Sequence, residues 1–349
     1  MEKILTVIVP AYNMEYYLGK CLDSLIIDDS RLFETLEVLV VNDGSKDGTL
    51  NIARRYENQY PTVFKVIDKP NGGKGSCMNI GLSAAKGKYV KELDADDWFD
   101  KLVFCDYLSY LQCVDVDFIL TDRIIVNTKG KKTKRCHFPY PKEHLLKVDD
   151  YCADLVFPTI QMHCVTYKCS KLISNEYRQT EGVSYTDQEW MFLPITFMDS
   201  FSYYSKPLYQ YLVGRKGQSV NPIIFSKQID VNLNLLYKRI DAFNKIDERS
   251  ISVMKKRYLL NRLMQNICSI FHKGVVEQLY PLEKIKGFEK VVGELNSHLI
   301  NDMVMSPFSK YYGMNYINYW REKGKIPFLL VVYSHIIKIA RRFQGYFQA

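Results

Sequence analysis

Four apolar runs in the first hundred residues constrain this chain most: ILTVIV (4–9), LEVLVV (36–41), VFKVI (63–67) and YVKEL (89–93). They are nearly continuous instead of alternating, as expected of strands buried on both faces. Helical patterns separate them. Tyr17, Leu18, Cys21, Leu22 and Leu25 recur at helical spacing, with Asn13 placed to cap that helix. A second helix runs through Tyr56, and the turn NGGKG (71–75) opens a third around Met78 to Ala85. Strand–helix alternation of this kind predicts an α/β, Rossmann-like, doubly wound and mostly parallel sheet. Ligands of such sheets lie beyond the carboxyl ends of the strands. The acidic and glycine-rich clusters of this chain fall at those ends.

With 349 residues, 47% hydrophobic and 25% charged, the chain can hold a large domain plus an appendage, which excludes disordered and collagen-like classes. Its nine cysteines include no CxxC pair and no zinc-like spacing, so they read as reduced thiols of a cytoplasmic protein. The run at 4–9 is too short for a signal peptide and reads better as a first strand. Charge is uneven. Residues 1–220 carry 27 Lys+Arg and 29 Asp+Glu, a net of −2, and residues 221–349 carry 20 and 10, a net of +10. Two parts follow: a domain over 1–220 and a basic, mainly helical extension over 221–349. The extension contains no nucleic-acid motif, so nucleic acid is not an expected partner.

The chemistry concentrates in clusters. DADDW (94–98) puts three carboxylates within four residues at a strand end, where they repel one another unless a cation is present. A hard divalent ion shared with substrate phosphates answers that need, and an exposed acidic turn is the plain alternative. VPAYN (9–13) and VNDGSKDGT (41–49) follow the first two strands. Asp43 can accept hydrogen bonds from a base or ribose beside Gly44, which permits close backbone approach. Gly72, Gly73, Gly75 and Lys74 form a candidate anion pocket at a helix start, matching neither the P-loop nor GxGxxG.

TVIVPAYN, EVLVVNDGSKDGT, NGGKGSCMNIGLSAAKGKYV and ELDADDW, in this order over residues 6–98, resemble the nucleotide-binding half of the family 2 glycosyltransferases with a GT-A fold. The resemblance implies an inverting, metal-assisted transfer of a sugar from a nucleotide-diphosphate donor, UDP-type, to a hydroxyl. Pro10, Ala11, Tyr12, Asp43, Lys74, Asp94 and Ala95 would contact the nucleotide, and Asp96 would ligate Mn2+ or Mg2+; the motif assigns Asp97 no role. SYTDQEWMF (184–192) looks like the family's later acidic motif with Thr186 in place of a Glu, which makes Asp187 the general base and Glu189 its rival. YLVGRKGQSV (211–220) is similar to the segment that closes over the donor, with Arg215 or Lys216 on the departing diphosphate. The QxxRW signature of processive members is missing. The acceptor implied is a glycan or polyprenyl-linked hydroxyl of a bacterial surface polysaccharide. Two other classes stay open on the residues alone: a sugar-phosphate nucleotidyltransferase and a non-catalytic nucleotide- or glycan-binding module.

Three features remain. IIVNTKGKKTKRCHF (124–138) reads as a hairpin turning at Gly130 with a very basic tip, either a solvated loop or a surface for acceptor or lipid. His163 reads as a structural histidine, with acceptor or metal contact as the alternative. KIPFLLVVYSHIIKIARRFQGYF (325–347) winds into an amphipathic helix with Ser334, His335, Lys338, Arg341 and Arg342 on one face. Such a helix suits peripheral contact with the inner face of the plasma membrane or a homodimer interface.

Overall fold

The computed structural model describes residues 2–336 except 143–144, 155, 216, 219–226, 248, 312–313, 326–327, 331 and 334. They cluster into two compact units, residues 1–221 with 251–255, and residues 222–250 with 256–349.

The first unit is built on strands β1 (Leu5–Ala11), β2 (Leu36–Asp43), β3 (Phe64–Lys69) and β4 (Tyr89–Glu92). Helices α1 (Leu18–Asp23), α2 (Ser30–Glu34), α3 (Thr49–Gln59) and α4 (Gly73–Ala84) lie between them. After β4 come β5 (Trp98–Phe99), α5 (Lys101–Cys113), β6 (Phe118–Asn127), β7 (Lys132–Cys136), β8 (Leu146–Lys147), α6 (Val148–Tyr151), β9 (Val165–Lys168), α7 (Cys169–Ser174), α8 (Asp187–Trp190) and β10 (Ser200–Val213). The main sheet runs β3-β2-β1-β4-β9-β6-β10-β5, with β7 on β6 and β8 on β10. Pairings β3–β2–β1–β4 and β6–β10 are parallel, and β9 enters antiparallel between β4 and β6. The half built on β1–β4 is therefore the parallel doubly wound sheet that the apolar runs predict, extended by a mixed half.

Side-chain alternation buries both faces of the central strands. Leu5, Val7 and Val9 of β1, with Leu36, Val38 and Val40 of β2, join one core with Leu18 and Leu22 of α1 and Phe104 and Leu108 of α5. On the opposite face Ile8 meets α4, where a Cβ on Gly81 would lie 2.7 Å from the Ile8 side chain. Burying one leucine-sized side chain stabilises by roughly 1.5–3 kcal/mol, and these strands contribute several. The chain passes outward from β1 to β3 and returns to β4 on the other side of β1, so the topological switch lies between β1 and β4. Their register ends at Ile8↔Glu92, and beyond it the strands part. Pro10, which cannot donate to a ladder, sits past that point.

Asn13 does not cap the first helix. That helix starts at Leu18 without a side-chain cap, and Asn13, at φ 53°, ties two loops together. Its backbone N–H donates to Ser45 Oγ at 3.0 Å, and its Oδ1 accepts from Lys46 N at 2.8 Å. The 124–138 segment is a hairpin, β6–β7, with Gly130 at φ 75°.

The second unit is helical: α9 (Ile229–Asn244), α10 (Val253–Phe271), α11 (Leu282–Leu295), α12 (Ser297–Met305) and α13 (Tyr316–Lys323), with α10 beginning in the segment that clusters with the first unit. Phe271 packs on Phe288 at 5.6 Å, and Tyr316 donates to Cys268 O at 2.8 Å. Among the described residues no helix is long and apolar enough to cross a membrane. All nine cysteines are free.

β4 carries two charged side chains that no surface explains. Lys91 and Glu92 are both fully buried and, as neighbours in a strand, point to opposite faces. Lys91 Nζ donates to the carbonyls of His163 (2.9 Å) and Val165 (3.2 Å), and burial pulls its pKa down to about 7. A lysine pKa lower in the folded than in the unfolded state means the unfolded chain binds more protons between those values. Stability then rises with pH through that window and is lost as pH falls toward 7. Urea unfolding of the wild type against Lys91→Met, from pH 7 to about pH 10, is expected to show this rise in the wild type and a flatter profile in the variant.

Candidate active site

The parting of β1 from β4 opens a cleft lined by Pro10, Ala11, Tyr12, Met14, Asp43, Lys74, Cys77, Asp94, Ala95, Asp96, Tyr211, Arg215 and Gln218. Nine of these were singled out from the sequence, whereas Met14, Cys77, Tyr211 and Gln218 were not. Lys216 lies outside the described residues.

Asp43 ends β2 and is buried. Its Oδ1 accepts from Lys69 Nζ at 2.5 Å and Gly72 N at 2.8 Å, and its Oδ2 accepts from Gly73 N at 2.9 Å. The glycine-rich start of α4 is thus an anion pocket already filled by the protein's own carboxylate. Gly44 is required beside it, at φ 70°, because a Cβ there would meet Asn71 N at 2.9 Å.

The three aspartates after β4 each find a different partner. Asp94 Oδ1 accepts from Lys74 Nζ at 2.6 Å, Asp96 pairs with Arg215 Nε, and Asp97 accepts from Tyr209 OH and Leu212 N, both at 2.7 Å. Lys74 also lies 2.5 Å from Glu92 Oε1. Burial works against the Lys74 charge, yet Asp94, Glu92 and Asp187 together raise its pKa well above the ordinary lysine value. Glu92 is pushed up to about 7, first by burial, with Lys74 opposing. Burial and then the Asp94 charge raise Asp96 even with Arg215 against it, and burial with Asp96 and Asp94 raises Asp97 further. Burial is the first cause of each of these carboxylate shifts, and the neighbouring carboxylates add to it.

Arg215 stands on a turn built for it. Gly214 has φ 98° and Gly217 φ 79°. Gln218 closes the turn, accepting from Gly214 N at 3.0 Å and donating to Leu212 O at 2.6 Å. The guanidinium packs over Tyr17 at 5.4 Å.

His163 is buried and brings a side-chain nitrogen into one group with oxygens of Asp94 and Asp97, all within 4.8 Å. Arg123 NH1 approaches His163 Nδ1 at 3.4 Å, and since arginine only donates, Nδ1 accepts and the proton sits on Nε2. Burial, then Arg123, lowers its pKa well below the usual value, so the ring is neutral.

Asp187 opens the short helix α8 and does not line the cleft, but its charge acts on both Lys74 and Glu92. Among the described residues none donates a hydrogen bond to its carboxylate. Glu189, two residues on, holds Thr180 through both oxygens, accepting from its N and Oγ1 at 2.7 Å each. Residues 179–183 are fastened to α4. Asn79 and the Gln179 backbone exchange bonds of 2.9 and 2.8 Å, Gly182 N donates to Gly72 O at 2.6 Å, and a Cβ on Gly75 would lie 2.1 Å from Thr180 O. Tyr185 then takes φ 66°, rare for a bulky residue, just before Asp187. None of these links was visible in the sequence, since Asn79 and Gln179 are a hundred residues apart.

A cleft at the switch point of a parallel sheet is where α/β domains place their ligands. Residues 6–173 match the sequence profile of Glycosyl transferase family 2, so this stretch carries a glycosyltransferase domain of that family. It is 38% identical to glycosyltransferase GlyA of Streptococcus pneumoniae over 107 residues, 31% of this chain and 14% of GlyA. It is 26% identical to hyaluronan synthase of Pasteurella multocida over 270 residues, 74% of this chain and 26% of the synthase. The match thus spans well under two thirds of either relative. The crystal structure of Staphylococcus aureus TarS 1-349 in complex with UDP-GlcNAc shares the fold, with a TM-score of 0.65, 21% identity and coverage of 92% of each chain.

The Asn79 clasp is testable. Asn79→Ala removes both bonds to Gln179, so nucleotide binding, followed by calorimetry, is expected to stay within ~3-fold while sugar transfer falls by ~10-fold or more. Equal loss of both would mean that the clasp only supports the fold.

Proposed function

We propose that this protein transfers a sugar from a UDP-sugar to a hydroxyl of a glycan or lipid-linked acceptor, with inversion at the anomeric carbon. The observation that carries the reading is the cleft at the β1–β4 switch, with Pro10–Tyr12 and Asp43 on one side and Asp94–Asp96 on the other. The UDP-GlcNAc held by the structurally similar TarS favours a UDP-linked donor.

A diphosphate entering this cleft meets like charge from Asp43, Asp94 and Asp96, which line it. The residues fit a divalent ion of the Mn2+ or Mg2+ type: Asp96 would hold it, with Asp94 beside it, whose Oδ2 has no donor among the described residues. Such an ion, when bound, neutralises the donor's diphosphate. Arg215, which pairs with Asp96 and lines the same cleft, would face the departing phosphate charge, with Lys216 next to it in sequence.

Asp187 is the base. As the acceptor oxygen bonds to the anomeric carbon, its proton passes to an Asp187 oxygen, and the bond from that carbon to the diphosphate oxygen breaks. The two bonds from Thr180 to Glu189 favour Asp187 over Glu189 for this role. Pro10, Ala11, Tyr12, Asp43 and Ala95 seat the nucleotide, and Lys74 steadies Asp94. With an exposed Tyr12 after the first strand and no glycine-rich fingerprint there, the nucleotidyltransferase reading loses ground. Asp187→Asn is expected to keep UDP binding and lose transfer by ~10²-fold or more, and Asp96→Ala to lose donor affinity together with metal activation. An active Asp187→Asn with an inactive Glu189→Gln would move the base by two residues.

The extension would bring the enzyme to the cytoplasmic face of the membrane. Phe328, Leu329, Val332 and Ile336 are exposed in the described part of the tail; Lys338, Arg341 and Arg342 lie outside the described residues. Each cation near an anionic surface contributes ~1 kcal/mol at low salt. Co-sedimentation with phosphatidylglycerol vesicles is expected for the full chain and not for a chain ending at 325. Unchanged vesicle binding with loss of a dimer in ultracentrifugation would make the tail a subunit interface.

A further inference from the structure

We propose that the lysine-rich tip of the β6–β7 hairpin is the acceptor-holding surface of this enzyme, and that the acceptor carries phosphate groups. The inference rests on the transferase reading above, and it names the acceptor's chemistry.

Residues 129–135 hold Lys129, Lys131, Lys132, Lys134 and Arg135, five cations in a domain region whose net charge is −2. The concentration is local and does not follow from a basic domain. Their partners differ. Arg135 reaches back to the root of the hairpin, where the buried Asp122 Oδ2 accepts from its Nε at 2.9 Å and its terminal nitrogen at 2.6 Å. Tyr203 OH, at 2.5 Å, and His137 Nδ1, at 3.1 Å, complete the anchor on Asp122. Lys132 lies 3.8 Å from Asp100. Lys129, Lys131 and Lys134 are exposed, and no described carboxylate lies within 4.0 Å of their ammonium groups. The tip itself is ordered by Asn127, whose Oδ1 accepts from Lys129 N at 3.0 Å and Lys131 N at 2.9 Å. A firmly rooted hairpin thus holds three unneutralised ammonium groups in place.

Its direction links the tip to the site. β6 is parallel to β10, and because β9 is antiparallel to both β4 and β6, β6 is also parallel to β4. The carboxyl ends of β4 and β10, which lead into Asp94–Asp96 and Arg215, and the tip after β6 therefore rise from one edge of the sheet. Lys132 lies 3.8 Å from Asp100, which caps the helix that follows Asp94–Asp97 and β5. A donor diphosphate has its cations inside the cleft; the lysines outside it suit anionic groups on the second substrate. Edge strands also carry lysine simply to prevent sheet-to-sheet pairing, and the experiment separates the two roles.

The probe is inorganic polyphosphate, added to the full-length protein in chelator so that the donor cleft lacks its ion, with binding followed by calorimetry at several salt concentrations. The triple variant Lys129→Ala, Lys131→Ala, Lys134→Ala is compared with a control that removes three exposed lysines elsewhere, Lys65→Ala, Lys86→Ala, Lys147→Ala. The expected result is ~10-fold or greater weakening in the hairpin variant, a salt slope flatter by about 2, and little change in the control. Equal weakening in both, or none in either, overturns the proposal. So does a hairpin variant that keeps polyphosphate binding but loses adsorption to phosphatidylglycerol–phosphatidylcholine vesicles, which would make the tip a lipid contact. A thermal shift with UDP and Mn2+, run on all three proteins, tests the donor reading by itself. Its absence in the wild type would sink that reading and leave the polyphosphate result to be judged separately.

Discussion

The ammonium group of Lys74 lies between Glu92 and Asp94, at 2.5 and 2.6 Å, and feels the charge of Asp187 as well. Three carboxylates from two distant stretches of chain can approach one another only because this cation is among them. Lys74 reaches that position because Asp43 holds the start of α4 through Gly72 and Gly73. Remove the carboxylate of Asp43, and the helix that carries Lys74 loses its seat. Asp43, Lys74, Glu92 and Asp94 thus depend on one chain of contacts running from β2 through α4 to β4.

Around that chain the cleft assigns its charges separately. Asp94 has Lys74, Asp96 has Arg215, and Asp97 is held by Tyr209 and the Leu212 backbone. Only the first two can change partner without unravelling β10. The division suits a substrate that brings charge of its own, since Arg215 can leave Asp96 when other positive charge takes its place, whereas Asp97 cannot leave Tyr209 cheaply in a buried setting.

Much of the nucleotide half was legible because local rules govern it. An apolar run of five or six residues has few ways to be buried, and turn formers after it mark the strand end. The acidic cluster at 94–97 announced itself by repulsion. Other parts were hidden for physical reasons. Asn13 looked like a helix cap because asparagine at φ > 0 and asparagine at an N-cap both follow strand ends; the difference lies in a partner loop thirty residues away. Glu92, inside an apolar strand, carries no local sign that it will be buried beside a lysine from another element. Asp187 and Glu189 could be told apart only by finding Thr180, which only the tertiary fold brings to Glu189.

The Asn79–Gln179 clasp also bears on how the chain assembles. Contacts between residues so distant in sequence form late, because the intervening strands must already be in place. A chain folded only as far as Ala95 would possess Pro10–Tyr12, Asp43, Lys74, Asp94 and Ala95, all lining the cleft, and nothing of the loop that carries Asp187. Order of folding thereby separates the cleft from the proposed base, so a nascent or misassembled molecule would have the one without the other.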